Sequence, residues 1–143
     1  MAEQKKVLVI DDASYVVELI KDHLETDGYI VETAFSGAEG IKKAKEFNPD
    51  IITLDIMMPE MNGFQVAEIL KKTEATKNIP IIFVSVVAEA QKDRGKAVGV
   101  NIFVTKPIDF KKLKEIISRT DTEDKDISMA GEDSLKKLDS KGY

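Results

Sequence analysis

Ile51-Ile52-Thr53-Leu54-Asp55-Ile56-Met57-Met58-Pro59-Glu60-Met61-Asn62-Gly63 opens as a strand, passes through an acid and a proline, and closes at a helix start. Its first four residues are apolar almost throughout. That pattern suits a strand covered on both faces of a parallel sheet, whereas a half-solvated strand alternates. Asn62 is placed to cap a helix over Gly63–Thr73, in which Phe64, Ala67 and Leu70 recur at helical spacing. The same unit repeats along the chain. Blocks at Val7–Ile10, Ile30–Ala34, Ile81–Ser85 and Asn101–Val104 also read as strands, the first and third of these as continuously apolar as Ile51–Leu54.

Helical segments fill the gaps. Ser14–Asp27 sets Val16, Leu19, Ile20, His23 and Leu24 along one stripe, with Asp12 or Ser14 available as its cap. Gly37–Phe47 offers Ile41, Ala44 and Phe47. Asp109–Arg119 aligns Phe110, Leu113, Ile116 and Ile117, and Asp109 can cap it. Glu89–Val98 is the weakest helix, with few large apolar residues and an interior Gly95 that costs about 1 kcal/mol relative to alanine. Strand and helix alternate five times, which predicts an α/β doubly wound domain: a five-stranded parallel sheet, right-handed crossovers and helices on both faces. The pattern occupies 1–120. Residues 121–143 are polar and acidic, and are expected to form a flexible tail or one short helix.

Composition narrows the chemistry. In 143 residues there is no cysteine, which excludes disulfides, thiolate metal sites and cysteine nucleophiles. A net charge of −5 argues against direct nucleic-acid binding. No apolar run reaches the length of a membrane span, and no signal-peptide pattern follows Met1, so a cytoplasmic protein is expected. The single histidine, His23, falls on an apolar stripe, where packing is the expected role.

Doubly wound sheets bind ligands at the C-terminal ends of their strands, near the point where strand order reverses. The residues that follow each strand therefore carry the functional argument. Asp11 and Asp12 follow the first, Asp55 the third, Ser85 closes the fourth, and Lys106-Pro107 follow the fifth. Each has an ordinary explanation alone: a cap, a turn residue, a strand-end hydroxyl, a solvated cation. Together they put three carboxylates, one hydroxyl and one ammonium on a single edge if the first and third strands are neighbours. Clustered carboxylates need a cation to stay ionised. Oxygen ligands suit Mg²⁺, which completes its shell with water and phosphate. One carboxylate could then attack phosphorus while the metal and the ammonium absorb charge on the phosphoryl oxygens.

The segments VLVIDDAS, ITLDIMMPEMNGF, IIFVSV and AVGVNIFVTKPID make the chain resemble a response-regulator receiver domain, the family of chemotaxis and sporulation phosphorelay regulators. The likeness spans about Lys5–Arg119 and implies the flavodoxin-like strand order 2-1-3-4-5. It implies Asp55 as phosphoacceptor, Asp12 as a direct Mg²⁺ ligand, Asp11 as one acting mainly through water, and the Met57 carbonyl as a further ligand. Ser85 and Lys106 would contact phosphoryl oxygens, Lys106–Pro107 would be a cis peptide, and Phe103 would be either an aromatic switch or a permanent core residue. Val86 is larger than the residue usual after the hydroxyl, and Phe103 lacks the hydroxyl that a tyrosine would bring. The implied partners are a histidine kinase or histidine phosphotransfer protein upstream and a protein target on the helix 4, strand 5, helix 5 surface. Monomer or weak dimer is expected, acting as a stand-alone receiver or a fragment of a longer regulator, with no separate substrate turned over.

Three rivals share parts of this pattern. A phosphate-independent pseudo-receiver would lack some of the five site residues, all of which are present. A phosphohydrolase of the haloacid dehalogenase type would ordinarily carry a second acid two residues beyond the nucleophile, where this chain has Met57. A flavodoxin-like flavin binder would want hydroxyls and glycines after the first strand, where Asp11-Asp12-Ala13-Ser14 is acidic.

Overall fold

The computed structural model describes residues 4–120. The expected 121–143 tail lies outside them. Strands β1 (Lys6–Ile10), β2 (Ile30–Ala34), β3 (Ile51–Leu54), β4 (Ile81–Ser85) and β5 (Ile102–Thr105) form one sheet in the order β2-β1-β3-β4-β5, every neighbouring pair parallel. Helices α1 (Ser14–Thr26), α2 (Gly37–Phe47), α3 (Gly63–Lys72) and α4 (Lys92–Ala97) connect the strands, and a fifth, α5, runs over residues 110–120. No described helix is long and apolar enough to cross a membrane.

Alternation along each strand divides the core between two faces. Leu8, Ile10, Ile52, Leu54, Ile81 and Phe83 meet Ala44 of α2 and Phe64, Val66, Ala67 and Leu70 of α3. Val7, Val9, Ile51, Ile82, Val84 and Val104 meet Val16, Val17, Ile20 and Leu24 of α1 and Leu113, Ile116 and Ile117 of α5. The near-continuous apolar strands are therefore explained by burial on both sides.

The helix ends are local chemistry. Asn62 accepts from the Gln65 backbone while the Gln65 side chain accepts from the Asn62 N–H, a complete capping box. Asp109 caps α5 by accepting from the Lys112 N–H at 3.1 Å. At α1 the cap is Ala13, with no side-chain cap bond, so neither Asp12 nor Ser14 takes the capping role open to it. Instead the Asp11 carboxylate accepts the Ala13 N–H at 2.9 Å and shapes the entry turn from one residue further back. On that helix Leu19 is 48% exposed and Val17 takes the inner position. His23 does pack, its ring stacked on Phe110 with centroids 3.8 Å apart. The fourth helix starts three residues later than expected, after a run of turns over 86–91, and β5 starts one residue later than expected, at Ile102.

Gly63 explains the glycine of the central segment. Its N–H donates to the Ile56 carbonyl at 2.8 Å, and a Cβ there would strike the Asp55 carbonyl oxygen and stand 2.8 Å from the Ile56 Cα. The neighbours are backbone, which cannot rotate aside. Between α3 and the end of β3 there is no room for even a methyl group.

Thr53 carries a defect. It is 1% exposed between its ladder partners Val9 and Ile82, and its hydroxyl has no hydrogen-bond partner. A buried polar group without a partner costs about 1–3 kcal/mol. Thr53→Val, which keeps the shape and removes the hydroxyl, should raise stability by about 1 kcal/mol in denaturant unfolding. Gly63→Ala should lower it by about 2–3 kcal/mol, the cost of overpacking against atoms that cannot yield.

Candidate functional site

The site begins with the ladder between β1 and β3. The Asp55 N–H donates to the Ile10 carbonyl at 3.0 Å, and Ile10 pairs with Leu54. The residues just beyond these strands are therefore side by side. β1 is also where strand order reverses, since β2 lies on one side of it and β3 on the other. Carboxylate oxygens of Asp11, Asp12 and Asp55 all lie within 4.8 Å of one another. Asp11 and Asp55 are buried, at 2% and 6% exposure, and Asp12 is exposed.

Lys106 reaches the same point from the end of β5. Its ammonium lies 2.7 Å from Asp11 Oδ2 and 3.6 Å from Asp55 Oδ2. The backbone carries the residue there: the Lys106 N–H extends the β4–β5 ladder by donating to the Ser85 carbonyl at 3.1 Å, and the Lys106–Pro107 peptide is cis. Ser85 completes the group, fully buried, with a hydroxyl that has no hydrogen bond of good geometry. All five candidates thus share one edge. Met57 stands at its mouth, 58% exposed.

The electrostatics follow from this crowding. Burial, and then the charge of Asp11, raise the Asp55 carboxyl above its ordinary range; the nearby Ser85 hydroxyl, the Lys106 ammonium and the Met57 N–H oppose that shift less strongly. For Lys106, burial works against the ammonium, but its bond to Asp11 and the charges of Asp11 and Asp55 prevail and raise it above the usual lysine range. Three carboxylates face one ammonium, which leaves two negative charges uncompensated when all are ionised. A hard divalent cation fits both that deficit and an all-oxygen donor set.

The walls of the site carry features that the strand-end reading missed. Tyr15, Val16, Leu19, Val86, Pro107, Ile108 and Phe110, with the Lys106 stem, line an apolar groove of about 440 Å³. Tyr15 is 72% exposed and Val86 61%. Tyr15, an aromatic outside the apolar stripe of α1, is the sequence signal for it; Leu19, expected on that stripe, lines the groove instead. On the other side, the Arg94 guanidinium lies 4.2 Å above the Phe64 ring. Phe103 is half-buried against Phe83, centroids 6.0 Å apart.

Known proteins with this arrangement are numerous. Residues 7–118 match the response regulator receiver domain family. The DNA-binding dual master transcriptional regulator RpaA of Synechocystis is 33% identical over 121 residues; the match takes in 81% of this chain and 50% of that protein, so the chain spans about half its length. The polar-differentiation response regulator DivK of Brucella ovis is 32% identical over 114 residues, 79% of this chain and 93% of DivK. Among solved structures, the chemotaxis protein CheY4 of Vibrio cholerae is 31% identical, with a TM-score of 0.77 over 82% of this chain and 98% of that one. A match that runs from the first strand into the last described helix, with DivK and CheY4 covered nearly end to end, establishes that this chain belongs to the response regulator receiver domain family.

Proposed function

We propose that the domain accepts a phosphoryl group on Asp55 from a histidine kinase or histidine phosphotransfer protein and signals by the change in surface that follows. The observation that carries this reading is the meeting of Asp11, Asp12 and Asp55 with Lys106 opposite and, beside Asp55, a buried Ser85 hydroxyl without a hydrogen bond of good geometry. A buried polar atom so poorly satisfied in a charged cleft suits a ligand that completes it. A phosphoryl oxygen is an acceptor of the right kind.

In the proposed reaction a carboxylate oxygen of Asp55 attacks phosphorus, the P–N bond of phosphohistidine breaks, and the imidazole leaves with the electron pair. The product is an acyl phosphate on Asp55. Asp11, Asp12, Asp55 and the Met57 carbonyl would hold Mg²⁺, which when bound neutralises charge on the phosphoryl oxygens. Lys106, now on Asp11, is near enough to Asp55 to turn to a phosphoryl oxygen, and Ser85 donates to another. The donor must cover the site to deliver its group, and the apolar groove from Tyr15 to Phe110 gives it an apolar surface to pack on. Output is assigned to α4, β5 and α5. The domain completes its own phosphorylation and hydrolysis without turning over a separate substrate. A phosphohydrolase reading has no acid at position 57 to protonate a leaving group, and a phosphate-independent module would not need all five residues.

Incubation with acetyl phosphate and Mg²⁺ should add one phosphoryl group by intact mass, and both Asp55→Asn and removal of divalent ions should abolish it. Failure to label the unaltered protein would overturn the reading.

Asp55 also links the site to stability. A carboxyl whose pKa is raised on folding binds its proton more tightly in the folded state, so the ionised form costs stability above that pKa, and the cost fades as pH falls through it. In metal-free buffer at neutral pH, Asp55→Asn should therefore melt higher than the unaltered protein, and the gap should close on acidification. Mg²⁺ should stabilise the unaltered protein by about 2.7 kcal/mol at a hundredfold excess over Kd, and the Asn variant much less. Equal melting responses to Mg²⁺ would count against the acidic cluster as the ion's site.

Met57, two residues after the acceptor, and Val87, two residues after Ser85, line one cavity with Ile56 and Met58, and neither side chain can hydrogen-bond an attacking water. The acyl phosphate should therefore be long-lived, and Met57→Asn with Val87→Glu should shorten its lifetime, followed by loss of the mass adduct. An unchanged or longer lifetime contradicts this.

A further inference from the structure

The β2 edge of the sheet has no neighbouring strand, yet its outward backbone groups are not all left to water. In a parallel ladder, alternate residues turn their N–H and C=O to the same side. The Ile30 N–H donates to the Lys5 carbonyl and the Ala34 carbonyl accepts from Asp11, so Ile30, Glu32 and Ala34 face β1. Val31, Thr33 and Phe35 therefore turn their backbone groups outward. Side chains occupy two of these three positions. The Thr33 N–H donates to Glu32 Oε1 at 3.1 Å, the Thr33 carbonyl accepts from the Lys43 ammonium at 2.6 Å, and the Phe35 N–H donates to Glu39 Oε1 at 2.7 Å. Lys43 in turn lies 3.2 Å from Glu32 Oε1 and 3.3 Å from Glu39 Oε2, which ties the three side chains to one another.

Helix capping does not account for Glu39. In a capping box its carboxylate would return to the N–H of the cap residue, Ser36. Ser36 does accept the Glu39 N–H, but the carboxylate goes one residue further, to Phe35. The Thr33 and Phe35 N–H groups are the largest reason that the carboxyls of Glu32 and Glu39 are held below their ordinary range, ahead of the opposing burial and of the Lys43 ammonium. What lies beneath is an adhesive strand. Tyr29–Phe35 reads Tyr-Ile-Val-Glu-Thr-Ala-Phe, rich in β-branched and aromatic residues, without proline or glycine, and its one charge is Glu32 itself. Ile30 and Phe35 are 40% and 41% exposed. A strand edge of that composition is a template for pairing with another chain unless something covers it. Its outward residues are evenly spaced about Thr33. Two copies related by a two-fold axis can therefore pair antiparallel, Thr33 on Thr33 and Val31 on Phe35.

We propose that Glu32, Glu39 and Lys43 form a clasp over a latent strand-addition site on β2, whose occupant once the clasp is removed is the same edge of a second copy of this chain. The clasp holds the backbone donors and acceptor that the second copy would use. It lies at the edge of the sheet opposite β5, and so leaves the surface assigned to output untouched. Nothing in it depends on phosphoryl chemistry, because none of the acidic cluster, Lys106 or Ser85 takes part.

The test compares the full chain, without any phosphoryl donor, with Glu32→Ala/Glu39→Ala/Lys43→Ala. Loss of two acids and one base moves the net charge only from −5 to −4, so charge repulsion is nearly unchanged. In amide hydrogen exchange the Thr33 and Phe35 N–H groups of the unaltered protein should be protected although they face outward, and in the triple variant, held as monomer by dilution, they should exchange about tenfold faster. In sedimentation velocity at micromolar concentration the triple variant should dimerise more strongly than the unaltered protein. The chain has no cysteine, so Thr33→Cys adds a single thiol. Under oxidation it should link two chains in the triple-variant background and not in the unaltered one. A hydrogen-bonded antiparallel pair sets its two Cα atoms about 5.5 Å apart, within disulfide reach. A triple variant that associates no more strongly overturns the proposal, and so does a dimer in which Thr33→Cys does not link. Outward amides that exchange at the same rate with and without the clasp overturn it as well. Should the triple variant not fold, Lys43→Ala, which removes the central ammonium and keeps both carboxylates, is read by the same three measurements.

Discussion

One backbone hydrogen bond, from the Asp55 N–H to the Ile10 carbonyl, holds the site in place. It extends the β1–β3 ladder by one residue beyond Leu54 and makes the acids after two different strands neighbours. Because the strands are parallel, everything that follows a strand emerges at the same edge. The remaining contributors, Ser85 and Lys106, reach that edge for the same reason, one at the end of β4 and one just after β5. The chemistry is gathered by sheet geometry, and the crossover helices serve to keep the strands parallel.

That gathering is electrostatically costly. Two of the three carboxylates are buried together, against one nearby ammonium. Lys106 bonds Asp11 closely and Asp55 only loosely, which leaves Asp55 the less compensated of the buried pair. The strain is supported by rigid surroundings: Gly63 lets α3 close directly on the backbone of Asp55 and Ile56, and its capping box anchors that helix end. Proteins that keep functional groups in unfavourable company do so where the neighbouring structure allows no relaxation. The loop between Asp55 and α3 adds a tight turn, with Glu60 at φ 68 and the Met61 N–H on the Pro59 carbonyl at 2.7 Å.

The opposite side of the sheet edge is looser in design. The segment between β4 and α4 is a succession of turns, and α4 is the shortest of the described helices. Its contact with the sheet runs through Gly95, a position without a side chain. An element with few apolar anchors is where a modest ligand energy has the largest effect on populations. Rigid support on the α3 side and weak anchoring on the α4 side are complementary: the one holds the acceptor still, and the other is free to respond.

Much of this was legible in the chain itself. The strands were readable because residues such as Val7–Ile10 and Ile81–Ser85 are apolar without alternation, a pattern that double-sided burial explains, and the cap at Asn62 was readable because an asparagine stands just before residues recurring at helical spacing. The acids and the lysine were readable as strand-end residues. What could not be read were relations between distant positions. Asp11 rather than Asp12 or Ser14 shapes the start of α1, Leu19 faces solvent while Val17 faces the core, and Gly95 is a notch for Phe103 more than a flaw in a helix. Sequence by itself determined the elements and the chemical types at their ends, since those depend on periodicity and local hydrogen bonding. Only the tertiary structure decided which groups touch, because contact across a sheet depends on register and on the space each neighbour leaves, and neither quantity is written in any single segment.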